Sequence, residues 1–184
     1  MNVLLDANVL YSIVLTDVLL TLAEDELVSP LWTERILDEA QRNLAERGFI
    51  HSGRRFAAMQ RAYPTAMIPG PRYEHLIPQM TNHPGDRHVL AAAVAYRVDA
   101  IVTHNVKHFP TASLSIDVVT PDALLCALHE AGATQVMRSI DRLPGRKRRP
   151  PMTVADVARR LERSGAVGFA DRLASTSSRL GDDS

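Results

Sequence analysis

Three acids in this chain occupy positions where side chains can do chemistry together. Asp6 follows the first apolar run, Val3-Leu4-Leu5, with Asn8 two residues on. Glu39 lies among Ile36, Leu37, Ala40 and Leu44, near the edge of an apolar stripe at helical spacing. Asp86 precedes a strongly apolar stretch, Val89 to Ala95. Clustered carboxylates raise one another's pKa, so such a group is tolerable at neutral pH mainly when a divalent cation neutralises it. Oxygen donors of this kind suit Mg²⁺ or Mn²⁺. Each acid alone has a plainer reading, Asp6 and Asp86 as caps and Glu39 as a solvated helix residue.

The elements that must position these acids follow from the pattern of apolar residues. Val3 to Leu5 is short and uninterrupted, as in a strand buried on both faces of a parallel sheet. Asp6 then emerges at the carboxyl end of a central strand, where open α/β sheets place their ligands. A helix is expected over 8–23 with Asn8 as its N-cap, then a strand over Leu27-Val28-Ser29-Pro30. Trp32 to Arg35 opens a second helix that stops at Gly48, with Trp32 read as core or partner interface. A third helix is expected over about 54–63, and Ala66 to Ile68 as a strand. Asp86 caps the alanine-rich helix. Asp99 to Thr103 and Ile116 to Val119 are the remaining strands, and Pro121 starts a helix. Strands alternating with helices of this length indicate a parallel α/β sheet.

Composition narrows the function classes. The formal net charge is zero, so any polyanionic partner must be held by a local patch. Aromatic content of 5% argues against single-strand binding by base stacking. The one cysteine, Cys126, excludes an internal disulfide framework and a cysteine-based zinc site, and reads as a small core residue in a reducing cytosol. No apolar run approaches the roughly 20 residues that span a bilayer. The N-terminus lacks a secretory signal, so the expected location is cytoplasmic with no membrane partner.

Composition shifts after about residue 130. Arg138, Arg142, Arg146, Lys147, Arg148 and Arg149 precede two prolines, and Thr153 then caps an amphipathic helix carrying Val154, Val157 and Leu161. Another helix is expected over Val167 to Leu173, with a polar tail fraying from Ser175. The division expected is a core domain over 1–130 and, over 131–184, a basic linker with a small helical extension lacking a core of its own.

Four blocks taken in order carry a family resemblance: Val3 to Leu10, Ile36 to Ala40, Asp86 to Ala93, and Ala100 to Asn105. They resemble the PIN-domain ribonucleases, and look most similar to the VapC-type toxins of toxin–antitoxin pairs. The resemblance implies a three-layer α/β fold, a central parallel sheet flanked by helices, with a cleft holding Mg²⁺ or Mn²⁺. It puts Asp6, Glu39 and Asp86 at the family's acidic, metal-holding positions, with Asn8 and Thr103 supporting the first acid. It implies hydrolysis of RNA phosphodiesters, a small antitoxin partner that enters the acidic cleft, and a homodimer. The chain departs from the pattern where a fourth acid is common, two or five residues beyond the threonine. Asn105 and His108 stand there. Asn105 can still serve catalysis through its amide oxygen without adding charge, and His108 is a candidate ligand or phosphate contact.

Other features have competing readings. The Arg146-Lys147-Arg148-Arg149 run fits an RNA grip, an acidic partner or a solvated linker equally. His83 and His88 flank Asp86 and read first as surface residues, and Asp117 lies in the wrong segment to replace the missing acid. Two alternative functions remain: a PIN-like module that binds RNA or a partner with weakened catalysis, and a haloacid-dehalogenase-like phosphatase. The phosphatase needs a second acid where Asn8 stands.

Overall fold

The structure is a computed structural model that describes residues 1–49, 52–110, 115–143 and 153–181, with side chains to residue 175. The Arg146-Lys147-Arg148-Arg149 run lies outside the described residues. Two compact units emerge: residues 1–11 with 28–120, and residues 12–27 with 121–184.

The first unit is built on a five-stranded parallel sheet of order β3-β2-β1-β4-β5. Its strands are β1 (Asn2–Leu5), β2 (Ser29–Thr33), β3 (Met67–Ile68), β4 (Ala100–Val102) and β5 (Asp117–Val119). The chain starts in the middle, winds outward through β2 and β3, and returns to the other side of β1 for β4. The β1–β4 boundary is therefore the switch point of the sheet, where adjacent crossovers run opposite ways and leave a crevice at the carboxyl ends. Val3, Leu4, Leu5, Ile101 and Val102 are fully buried, which accounts for the unbroken apolar runs. The α/β reading of the sequence holds.

Two local expectations shift. The helix expected over 8–23 is two helices, α1 (Ala7–Leu10) and α2 (Ile13–Glu24). Asp6, not Asn8, is the N-cap of α1, and extended Ser12 breaks the run and caps α2. The second strand runs to Thr33 rather than ending at Pro30, so Trp32 belongs to β2 and is wholly buried, edge-on to Tyr63. Pro30 is tolerated inside the strand for a reason of register. Ser29 N–H donates to Met1 on the β1 side, so the N–H that Pro30 lacks would face β3. The β3 pairing begins only at Trp32, so no ladder bond is lost.

Thr33 ends β2 and caps α3 (Glu34–Glu46), its hydroxyl accepting from Ile36 N–H at 3.1 Å. Ile36, Leu37, Ala40 and Leu44 face inward, which leaves Glu39 at the stripe's edge, as the spacing indicates. Next come α4 (Ser52–Ala62) and a run of short 3₁₀ turns, then α5 (Arg87–Tyr96), whose Ala91, Ala92 and Ala93 are fully buried. Asp117 pairs with Ala100 at the amino end of the sheet, opposite the end that carries Asp6.

The second unit has its own core. It comprises α2, α6 (Pro121–Asp141, kinked at Gly132), α7 (Val154–Arg163) and α8 (Val167–Gly181). Leu15, Leu19, Leu22, Leu125, Ile140, Leu161, Phe169 and Leu173 are fully buried within it. The sequence reading expected residues 131–184 to lack a core of their own, and the core found here is not theirs alone. It is assembled with α2 and the first half of α6, which periodicity assigns to the neighbouring domain. The Asp122 carboxylate accepts from Gly168 and Phe169 N–H at 3.2 and 2.8 Å, satisfying two free donors at the start of α8. Thr153 and Asp156 form a reciprocal capping box on α7. The polar tail expected to fray from Ser175 continues as helix to Gly181.

Truncating Leu161, buried between helices of this unit, is expected to cost about 2–5 kcal/mol through lost burial and a residual cavity. Denaturant unfolding of Leu161→Ala measures it, and a change under about 0.5 kcal/mol, the range of surface substitutions, would show that this unit lacks a tightly packed core.

Candidate active site

Asp6 stands at the carboxyl end of β1 and is 3% exposed. Its carboxylate is held by three donors: Ala7 N–H at 2.7 Å on Oδ1, with Asn8 Nδ2 at 2.6 Å and Thr103 Oγ1 at 2.7 Å on Oδ2. Thr103 follows β4, so the switch point of the sheet brings residues 97 apart into direct contact. The threonine hydroxyl is fully used. It donates to Asp6 and accepts from Asn8 Nδ2 at 2.9 Å and from Asn105 N–H at 3.0 Å. Asn8 Oδ1 in turn accepts from His104 N–H at 3.1 Å. Asp6 is thus both the cap of α1 and the anchor of a polar network.

Burial pushes the Asp6 carboxyl up to about 6, against the lowering effect of the Thr103 and Ala7 hydrogen bonds, and Asp86 and Glu39 push it further. Both side-chain charges acting on Asp6 are therefore acids. Glu39 is raised as well, first by burial and then by Asp86, with Arg42 and Arg35 opposing. The three acids the sequence singles out act on one another across this end of the sheet.

Asp86 sits at the N-cap position of α5 without making a side-chain cap bond. Its Oδ2 is 2.8 Å from His108 Nδ1 and 3.4 Å from His83 Nδ1. The two imidazoles are stacked, with centroids 4.4 Å apart and planes 18° apart. Asn105 enters the network through its backbone, donating to Thr103 and accepting His108 N–H at 2.8 Å.

Sequence reasoning misplaced one histidine, while the surface reading of His83 holds at 55% exposure. His88, read as a surface residue, is 1% exposed. Its Nδ1 lies 3.0 Å from the Gly85 carbonyl, which can only accept, so that nitrogen carries the proton. Burial first, then Arg35, lowers its pKa to about 4. The ring is therefore neutral near pH 7, and its bare Nε2, without a hydrogen-bond partner, stands 3.8 Å from Glu39 Oε2. The available signal was position: Ala91 and Ala92 at i+3 and i+4 put His88 on the buried stripe of α5. His83 gave only its spacing, three residues ahead of Asp86.

The donor set fits a hard divalent cation. A buried carboxylate surrounded by hydrogen-bond donors, with acids as its charged neighbours, lacks one thing for electrical balance, and that is positive charge. A parallel sheet with helices on its faces and acids at its switch point defines the class. Residues 2–107 match the PIN domain, and the chain belongs to that family. Residues 121–175 match the VapC50 C-terminal domain. A curated Mycobacterium tuberculosis (strain ATCC 25618 / H37Rv) protein named "Putative ribonuclease VapC50" is 52% identical over 56 residues, 29% of this chain and 33% of that one. The match thus spans a third of that relative's length. No solved structure matches the chain.

Asp6 and His88 give stability opposite dependences on pH. A carboxyl raised in the folded state costs nothing below about pH 4, where folded and unfolded forms are both protonated, and its full penalty applies above about 6. A histidine lowered in the folded state costs nothing above about 6.5 and its full penalty applies below about 4. Each penalty is on the order of 3 kcal/mol, so the two nearly cancel across that window. Without added metal, Asp6→Asn is expected to gain stability as pH rises from about 4 to 6.5, and His88→Gln to lose it. Thermal unfolding across the range tests this, and parallel profiles for the two variants would refute the balance.

Proposed function

We propose that this chain is a metal-dependent endoribonuclease that hydrolyses RNA phosphodiesters, and the toxin of a toxin–antitoxin pair acting in the cytoplasm. The observation that carries the reading is Asp6: a buried carboxylate fixed by three donors at the sheet's switch point, with Asp86 and Glu39 as its charged neighbours. The family to which the chain belongs and the ribonuclease name of its relative support the same direction. Among the described residues no helix is long and apolar enough to cross a membrane.

Asp6, Glu39 and Asp86 would hold Mg²⁺ or Mn²⁺. A divalent cation there supplies charge against the developing negative charge of a phosphodiester and lowers the pKa of a water. The protein's own groups prepare for this. Thr103 and Asn8 fix the rotation of the Asp6 carboxylate by gripping one oxygen, while Ala7 N–H holds the other. Neutral His88 presents an unshared electron pair toward Glu39, so it neither repels a cation nor adds charge. Asn105, placed by its backbone beside Thr103, would contribute its amide oxygen in this reading. The basic run over 146–149 would contact RNA phosphates or an acidic partner.

The proposal extends to a homodimer and to a small antitoxin that presents an arginine or lysine to the acidic cleft. Nuclease function is assigned to residues 1–130, with residues 131–184 carrying the basic linker and the helical C-terminal extension.

With Mg²⁺ or Mn²⁺, the purified chain is expected to cut within a broad RNA pool, and Asp6→Asn or Asp86→Asn to abolish cleavage. Thr103→Val, which removes the orienting hydroxyl, is expected to lose about 10–100-fold, the usual scale for a group that orients a metal ligand. Binding of the pool without cleavage under either metal would instead favour a non-catalytic PIN-like module. An unchanged rate in Asp6→Asn would sink the site assignment.

A further inference from the structure

We infer that His83, Asp86 and His108 form a binding site for a first-row transition-metal dication, held by two imidazole nitrogens and one carboxylate oxygen. Their three ligand atoms lie within 4.8 Å of one another. Bonds of about 2.0–2.2 Å from Zn²⁺ to nitrogen and oxygen set neighbouring tetrahedral ligands about 3.3 Å apart. The separations of Asp86 Oδ2 from the two Nδ1 atoms, 2.8 and 3.4 Å, bracket that spacing. The stacked rings turn the same nitrogen toward the same oxygen, so the donor atoms converge.

The backbone holds this arrangement from several sides. His83 precedes α5 and His108 follows β4, and the two segments are joined by His83 N–H donating to the His108 carbonyl at 3.4 Å. Asp86 N–H donates to the His83 carbonyl at 2.9 Å, closing the turn that presents both side chains. The solvent side is open: His83 is 55% exposed and His108 31%, against 16% for Asp86, which leaves a path for an ion and its waters. Without metal, the carboxylate accepts the His108 Nδ1–H at 2.8 Å, with His83 Nδ1 3.4 Å away. On loading, each Nδ1 offers its electron pair while the ring proton resides on Nε2, a change of tautomer that moves no net charge.

Nitrogen donors set the selectivity. Mg²⁺ prefers oxygen and dehydrates reluctantly, whereas imidazole favours Co²⁺, Ni²⁺ and Zn²⁺. The site shares Asp86 with the nuclease reading but does not rest on it.

The test is a Co²⁺ titration of tag-free chain in excess Mg²⁺, followed by the visible absorption bands of the ion, with circular dichroism to verify folding. Saturation at one Co²⁺ per chain is expected, with affinity reduced about tenfold or more in His83→Ala and in His108→Ala. Asp6→Asn is expected to bind as the parent does. A folded chain that cuts no RNA yet binds Co²⁺ through these histidines would remove the nuclease reading and leave this site standing. Undiminished binding in the folded double variant would overturn the site. So would bands that vanish in Asp6→Asn and survive loss of the histidines, since the metal would then belong to the acids alone.

Discussion

The buried Asp6 carboxylate is the constraint on which this end of the molecule depends. A charge at 3% exposure cannot rely on water, and its oxygens must be satisfied by fixed donors. Two of those donors, Ala7 N–H and Asn8 Nδ2, are local to the turn after β1. The third, the Thr103 hydroxyl, comes from the far side of the chain and exists only because β4 lies against β1. The register Leu5↔Val102 makes Asp6 and Thr103 the first residues past the paired strands. Sheet order is thus a condition for Asp6 to be buried and ionisable. A strand order that separated β1 from β4 would leave the carboxylate one donor short.

The same burial explains the electrical character of the site. Hydrogen bonds from Thr103 and Ala7 lower the Asp6 pKa, yet burial outweighs them. His88, buried and facing Glu39, gives up its charge rather than forming an ion pair, and His108 meets Asp86 at hydrogen-bond distance. Carboxylates left without a strong cationic partner are costly when empty and favourable when a divalent ion is bound. The penalty on folding and the affinity for a cation are the same electrostatic term with opposite signs.

Much of this was legible in the sequence because it rests on local signals. The buried strands read directly as unbroken apolar runs, and the edge position of Glu39 follows from the spacing of Ile36, Leu37, Ala40 and Leu44. The break at Ser12 was not legible: apolar residues continue across it, and only the capping geometry, set by tertiary context, divides α1 from α2. The core of the second unit was missed for a similar reason. Leu15, Leu19 and Leu22 sit in sequence beside the sheet but are buried with helices from beyond residue 120. His88 shows the limit most clearly. Helical spacing could have marked it as buried, but the proton on its Nδ1 follows from the Gly85 carbonyl, which sequence alone cannot place.

The departure at Asn105 and His108 also takes on a different meaning once the geometry is known. Read as a list of acids, the chain lacks a fourth carboxylate. In the structure that corner is filled by an imidazole at 2.8 Å from Asp86, reinforced by a second ring stacked on it. Replacing a carboxylate by an imidazole removes one negative charge from a site that must admit a polyanion under the nuclease reading, while a ring nitrogen can still offer an electron pair to a cation. Charge and ligation capacity are separable properties, and a carboxylate supplies both at once. The imidazole supplies only the second, which lowers the repulsion toward phosphate and shifts the metals that corner can hold from hard to borderline ions.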